Sequence, residues 1–219
     1  MGKREKDMGE TASMLASQLS LVSSDTGETD KALLKTEKTF RIAVTGDVFV
    51  TQLERKVIDT PDFQRLRGVR QLGSVFHVYP TALHTRFDHS LGTLAMAERM
   101  IQAIENNTAS DDFERDITPI QKVLARLYAL LHDVTHVPFG HTIEDELHLL
   151  QRHDENPGRI LKFLGPNSPI GSTIQEAIGP EGYGRFMRIY LWEDDQKKYA
   201  ERLTKKGWEE PVRNFVCEA

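Results

Sequence analysis

Cys217 is the single cysteine in 219 residues, which excludes an internal disulfide framework and fits a reducing compartment. No run approaches the ~20 apolar residues that cross a bilayer. Residues Met1 to Glu10 are charged and lack the apolar core of a secretory signal. These absences lead to the expectation of a cytoplasmic or nuclear protein with no membrane partner. Excess positive charge is missing too. The formal net charge of −5 gives no bulk reason for nucleic-acid binding, although a local basic patch is compatible with it. What remains is ordinary for a globular protein: 39% hydrophobic and 28% charged residues, in a chain long enough for one substantial core.

The composition divides the chain. Residues 1–37 are rich in Ser, Thr, Asp, Glu and Lys, and their apolar content is confined to a short patch from Met14 to Val22. Such a segment buries too little to offset the entropy of ordering, so a flexible tail is expected. A helix docking on a partner subunit is the alternative. Residues 38–219 are expected to form the domain. From Thr39 to Thr51, Phe40, Ile42, Val44, Val48 and Val50 alternate around Thr45-Gly46-Asp47, which reads as a small β-hairpin. The rest reads as helix, making the fold mainly α. Thr60-Pro61 predicts a helix through about Gln71, His89 to Asn106 has helical spacing, and Thr118-Pro119 starts a helix to Asp133. Further helices are predicted over Thr142–Gln151, Gly158–Leu164, Ser172–Ile178 and Asp194–Lys205.

All eight histidines lie between His77 and His153. Imidazole and carboxylate are common ligands of divalent transition metals, so this clustering points to a metal site. His77 and His148 read as surface or hydrogen-bonded core residues. The pair His132-Asp133 ends the apolar stretch Leu127-Tyr128-Ala129-Leu130-Leu131. Burying both groups is costly unless they are paired or bind a cation. His89, at the start of the preceding amphipathic helix, is the best third ligand, with His84 as competitor; spacing leaves that choice open. Arg86 offers a planar fork for phosphate oxygens. His136 and His141 follow across a turn containing Pro138 and Gly140, and Glu144 is placed to orient an imidazole. Glu144 is read as functional over the alternative of a helix-start charge, which Asp145 and Glu146 would share.

Leu131-His132-Asp133-Val134-Thr135-His136-Val137-Pro138-Phe139-Gly140-His141 resembles the central motif of HD-domain phosphohydrolases, H-D-x-G-H-x-P-F-x-H. Asp59 to Arg67, followed by Gln71-Leu72-Gly73, is similar to the preceding segment in the deoxynucleoside triphosphate triphosphohydrolase branch. Tyr79-Pro80 and His84 to Gly92 resemble that branch's H-x-R-F-E-H-S-L-G, and His153-Asp154-Glu155 its later H-E. The resemblance covers roughly residues 45 to 160 in order, which is more specific than any one motif. It implies an HD-domain helical bundle with His89, His132 and Asp133 as metal ligands. It further implies Arg86 and His141 at phosphates, Gln71 and Leu72 at the sugar, and His136, His153 and Glu144 serving catalysis. The implied reaction is metal-assisted attack of water on the α-phosphorus of a deoxynucleoside triphosphate, releasing deoxynucleoside and tripolyphosphate. The implied cofactor is a divalent ion (Mn, Fe, Mg, Zn or Ni), the implied partners a nucleotide substrate and further copies of the chain.

The sequence departs from this pattern. Thr135 stands where the family has glycine, and Thr45-Gly46-Asp47 is only faintly similar to D-P-V-H-G. The family's fourth ligand is an aspartate on a late helix; Asn214 to Ala219 is similar to the approach to it, and the expectation is a chain shorter than its family at the C-terminus. Asp194 and Asp195 are candidate substitutes, though a solvated helix start is the plainer reading. Two other functions compete: a phosphodiesterase or phosphatase on another nucleotide, and a nucleotide-binding regulatory module that does not turn over.

Overall fold

The computed structural model describes residues 31–108 and 117–191. The predicted helix Asp194–Lys205, the candidates Asp194 and Asp195, and the patch Met14–Val22 lie outside these residues. The described part is mostly helical, with a two-stranded antiparallel hairpin at its N-terminal end, as expected. Strands β1 (Thr36–Ile42) and β2 (Gly46–Thr51) pair Phe40 with Val48 and Ile42 with Gly46. Gly46 takes φ 81°, the left-handed conformation that glycine adopts without steric penalty. Val48 and Val50 face the core while Asp47 and Phe49 face outward, the alternation that the pleat imposes. Strand β1 starts before Thr39, because Thr36 is still paired with Thr51 across a register shift.

Helix α1 (Gln52–Ile58) was not foreseen: it is only seven residues long and its Leu53-Glu54-Arg55-Lys56 has little apolar periodicity. Its start is set by a capping box, in which the Thr51 N–H donates to Glu54 Oε2 at 2.8 Å and the Glu54 N–H to Thr51 Oγ1. The helix predicted from Pro61 to about Gln71 is much shorter. It comprises α2 (Pro61–Gln64), capped by Thr60, and a 3-10 turn, Arg65–Gly68. Val69 then turns extended, its carbonyl accepts from the Arg86 N–H at 2.8 Å, and Arg70 pairs with Thr85. This long-range pairing overrides the local helical preference and brings Gln71 beside Arg86.

Helix α3 (Arg86–Thr108) begins where Thr85 and Asp88 cap each other, and packs along α4 (Pro119–Leu131). Thr118 and Gln121 form α4's capping box. Its Leu124, Leu127, Leu130 and Leu131 are buried, each worth about 1.5–3 kcal/mol over exposure. In place of a helix from Thr142 to Gln151 there is a single wide turn, Thr142–Glu146. It stops because His148 takes φ 50° and the Leu149 N–H turns back to the Ile143 carbonyl. Helix α5 (Pro157–Leu164) follows an Asn156 cap, and α6 (Pro169–Tyr190) a Ser168 cap. The predicted Ser172–Ile178 is the first part of α6. The break comes at Gly179 (φ 71°), where Pro180 disfavours helical geometry in the residue before it. Among the described residues, no helix is long and apolar enough to cross a membrane.

Candidate metal centre

Two helix ends make the site. The cap at Thr85 sets the start of α3 and so places Arg86 and, one turn on, His89. The end of α4 supplies the other side. His132 is its C-cap residue, and the imidazole Nδ1 sits 2.9 Å from the Ala129 carbonyl. A carbonyl can only accept, so Nδ1 carries a proton and neutral His132 keeps its lone pair on Nε2. That atom lies 3.2 Å from His89 Nε2. Asp133 completes the group, with carboxylate oxygens 3.6 Å from each of those nitrogens. These three side chains are spaced to hold an ion. Two imidazole nitrogens in such proximity are best satisfied by a cation between them, and the donor set of two imidazoles and a carboxylate fits a divalent metal.

Asp133 is buried, and burial alone would raise its pKa. His132, Arg86, His136 and His89 outweigh that and hold it below the ordinary value. Arg86, 2% exposed, donates from Nη1 to Asp133 Oδ2 at 2.6 Å, while its buried Nε has no partner among the described residues. Burial, reinforced by His132 and Arg86 against Asp133, lowers His89 below its ordinary pKa and favours the neutral ligand form.

Deeper in, the His136 ring stacks on that of His153 with centroids 3.4 Å apart, and His136 Nε2 lies 3.5 Å from Asp133 Oδ1. Burial, then the neighbouring His153 and Arg86, push His136 down to about 2. His136 is therefore neutral at physiological pH. Asp133, His136 and His153 also have ligand-like spacing. His153 Nδ1 lies 3.1 Å from Glu144 Oε2, leaving Nε2 free to face the centre. Thr135 has no positive φ, so its Cβ is accommodated where the family pattern has glycine. Its hydroxyl donates to the His153 carbonyl at 3.3 Å and ties the two turns together.

The other candidates divide. Gln71 reaches the centre, its Nε2 3.4 Å from Asp133 Oδ2. Leu72 is nearly half exposed beside it. His141 is exposed and pairs with Asp145 at 3.0 Å, its ring 4.9 Å from that of His136. His84 is exposed and stays outside the ligand group, and His77 and His148 are at the surface. Glu144 is buried, which a charge merely complementing a helix start would not be. Two further residues shape the site, and neither was given a role from the sequence. Arg159 pairs with Glu144 Oε1 and donates to the Gln151 carbonyl; its spacing from Glu144 carries no motif. At Gly140, a Cβ would lie 2.5 Å from His136 Nδ1, so only glycine lets the backbone pass. Its place in the quoted motif was the available signal.

Residues 86–204 match the HD domain family. The chain belongs to that family. Human deoxynucleoside triphosphate triphosphohydrolase SAMHD1 is 36% identical over 133 residues, 58% of this chain and 20% of the human protein. An uncharacterized Methanocaldococcus jannaschii protein is 40% identical over 107 residues, 49% of this chain and 21% of that protein. The chain thus spans about a fifth of the length of these curated relatives. A crystal structure of a hypothetical protein from Aquifex aeolicus superposes with a TM-score of 0.54 at 30% identity, covering 82% of this chain and 40% of that one. His132 and Asp133 lie within the matched residues, with His89 of α3 opposite.

Proposed function

We propose that this HD domain hydrolyses deoxynucleoside triphosphates to deoxynucleoside and tripolyphosphate. The observation that carries the proposal is the convergence of His89 Nε2, His132 Nε2 and the buried Asp133 carboxylate at one point, in a chain similar to relatives named triphosphohydrolases. A divalent ion held by these three residues lowers the pKa of water and offsets phosphate charge. Mn, Fe, Zn or Ni suit the donors.

The remaining steps belong to the chain's own residues. Arg86 fixes Asp133 and, with its unpartnered Nε, offers positive charge beneath the phosphates. His141 reaches toward them from the rim, and Gln71 and Leu72 flank the sugar. Water's oxygen bonds to the α-phosphorus, the bond from that phosphorus to O5′ breaks, and O5′ takes up a proton. His153, its Nδ1 held by Glu144, carries a proton from water to O5′ through Nε2, with neutral His136 stacked against it to hold the ring in place.

Product analysis with each of the four substrates, with and without Mn²⁺, tests the proposal. Metal-dependent release of deoxynucleoside and tripolyphosphate, lost in His132→Ala/Asp133→Ala, is the expected result. Nucleotide binding without turnover would replace it with a regulatory module; release of orthophosphate or cleavage of a diester would replace it with a different phosphoesterase.

A further inference from the structure

Arg65 lies far from the motif in sequence and meets it in space. Its Nη1 donates to the His136 carbonyl at 2.8 Å, and its Nη2 donates to the Val134 carbonyl. Its guanidinium carbon stands 4.3 Å from the centroid of the Phe163 ring on α5. The two accepting residues are buried, and their carbonyls lie in the turn beyond the C-terminal end of α4, where no following helical turn supplies donors. They bracket Thr135: Asp133 comes immediately before the first, and His136 carries the second.

We infer that Arg65 is a positioning residue of the metal centre, a fork that locks the Asp133–His136 turn and thereby aims the Asp133 carboxylate and the His136 ring. The inference rests on the reading of His89, His132 and Asp133 as metal ligands, and adds a residue that touches none of them. Besides the Thr135 hydroxyl bond to the His153 carbonyl, the turn has two backbone bonds of its own: the Val134 N–H to the Leu131 carbonyl and the His136 N–H to the Asp133 carbonyl. Both hold the chain only to its immediate neighbours. Arg65 ties it to the segment after α2, and through Phe163 to α5. Two carbonyls in fixed relation need two donors in fixed relation, which a planar guanidinium provides and the point charge of lysine does not. A cation at the carbonyl end of α4 is also favoured by the helix dipole.

Loss of an outer partner that orients ligands weakens metal binding by about 10–100-fold. The experiment measures Mn²⁺ affinity of the whole chain by calorimetry, together with histidine side-chain ¹H–¹⁵N spectra of the metal-free protein. It compares wild type, Arg65→Lys, Arg65→Ala and Ile174→Ala, a core truncation on α6. Both Arg65 variants are expected to bind Mn²⁺ about 10–100-fold more weakly and to shift the His136 signals while those of exposed His77 stay. Millimolar guanidinium should recover part of the affinity of Arg65→Ala. Ile174→Ala should lower the melting temperature and keep the affinity. Wild-type affinity with unmoved His136 signals in Arg65→Lys overturns the inference, as does an equal loss in Ile174→Ala. If Arg65→Ala does not fold, Arg65→Lys, which keeps its stem, decides alone. If wild type fails to bind Mn²⁺, the ligand reading fails, and the His136 spectra still decide whether Arg65 sets that ring.

Discussion

Among the described residues, two of the buried arginine–carboxylate clusters are built to different rules. In the first, Arg126 of α4 lies between Glu54 of α1 and Glu98 of α3. Its Nε and Nη2 donate to the Glu54 oxygens at 2.7 and 2.9 Å, Nη1 pairs with Glu98, and Nη2 also donates to the Phe49 carbonyl. Burial lowers Arg126, but Glu54 and Glu98 overcome it and the pKa ends above the ordinary value. In the second, Arg86 meets Asp133, and burial wins: its pKa ends below. Arg86 Nε, His136 Nδ1 and Gln71 Oε1 are buried there without partners among the described residues. A cluster whose groups are all answered fastens the hairpin to the helices. One that leaves polar atoms unanswered and an arginine short of negative charge is suited to an anionic ligand.

The largest effect should come from breaking the satisfied cluster. Arg126→Met leaves Glu54 buried without its counter-charge and should cost about 3–5 kcal/mol in urea unfolding. The protein that remains folded should bind Mn²⁺ as wild type does, since Arg126 touches no ligand. Asp133→Asn should reverse the pattern. Its amide oxygen still accepts from Arg86, so the stability loss in the metal-free protein should be smaller than for Arg126→Met. Mn²⁺ affinity and turnover should fall by more than about 100-fold, beyond what loss of an outer partner causes. Equal effects of the two substitutions on both readouts would erase the distinction between the clusters.

The two clusters were also unequally legible. His132 and Asp133 stood out because two polar residues end an apolar helix, and His89 because it opens the helix upstream. Both signals are local, as are the Thr60-Pro61 and Thr118-Pro119 caps that mark α2 and α4. Arg126 and Glu54 gave no such signal. Glu54 lies in a short helix that had no sequence signal, and its partner is far along the chain. Arg65 and Arg159 were opaque for the same reason: their acceptors are set by folding and not by spacing. The overlong helix through Gln71 failed where Arg70 paired with Thr85, a contact no local pattern encodes. The turn at His148 ended the helix predicted through Gln151, and Leu147, Leu149 and Leu150 beside it are exposed.

Gly140→Ala is a narrower probe of the second cluster. The new Cβ would fall 2.5 Å from His136 Nδ1, so ring or backbone must give way, at about 1–3 kcal/mol for such overpacking. His136 is wedged between His153 and Asp133, so the displacement should pass to the centre. Turnover should fall more than thermal stability explains, while Mn²⁺ affinity changes less than in Asp133→Asn. Gly46→Ala at the hairpin serves as the control: its φ is strained for alanine, and nothing lies near its Cβ. Gly46→Ala should lower stability without touching turnover.

The smallest effect is an acid sensitivity built into the same ring. His136 is held near 2 in the folded protein, against about 6.5 when unfolded. Below the unfolded value, the unfolded chain takes up a proton that the native ring refuses, so stability falls as pH drops from about 6.5. His89, lowered in the same direction, adds to the slope. By pH 5 the His136 contribution amounts to roughly 2 kcal/mol, from about 1.4 kcal/mol per pH unit. Asp133, also lowered, contributes in the same sense but only below its unfolded value near 4, so the interval between pH 6.5 and 4.5 isolates the imidazoles. Urea unfolding of metal-stripped protein across that interval should show the decline in wild type and a shallower one in His136→Gln. Identical slopes would mean that the ring protonates in place, and the contrast with the satisfied Arg126 cluster would then lose its clearest titratable member.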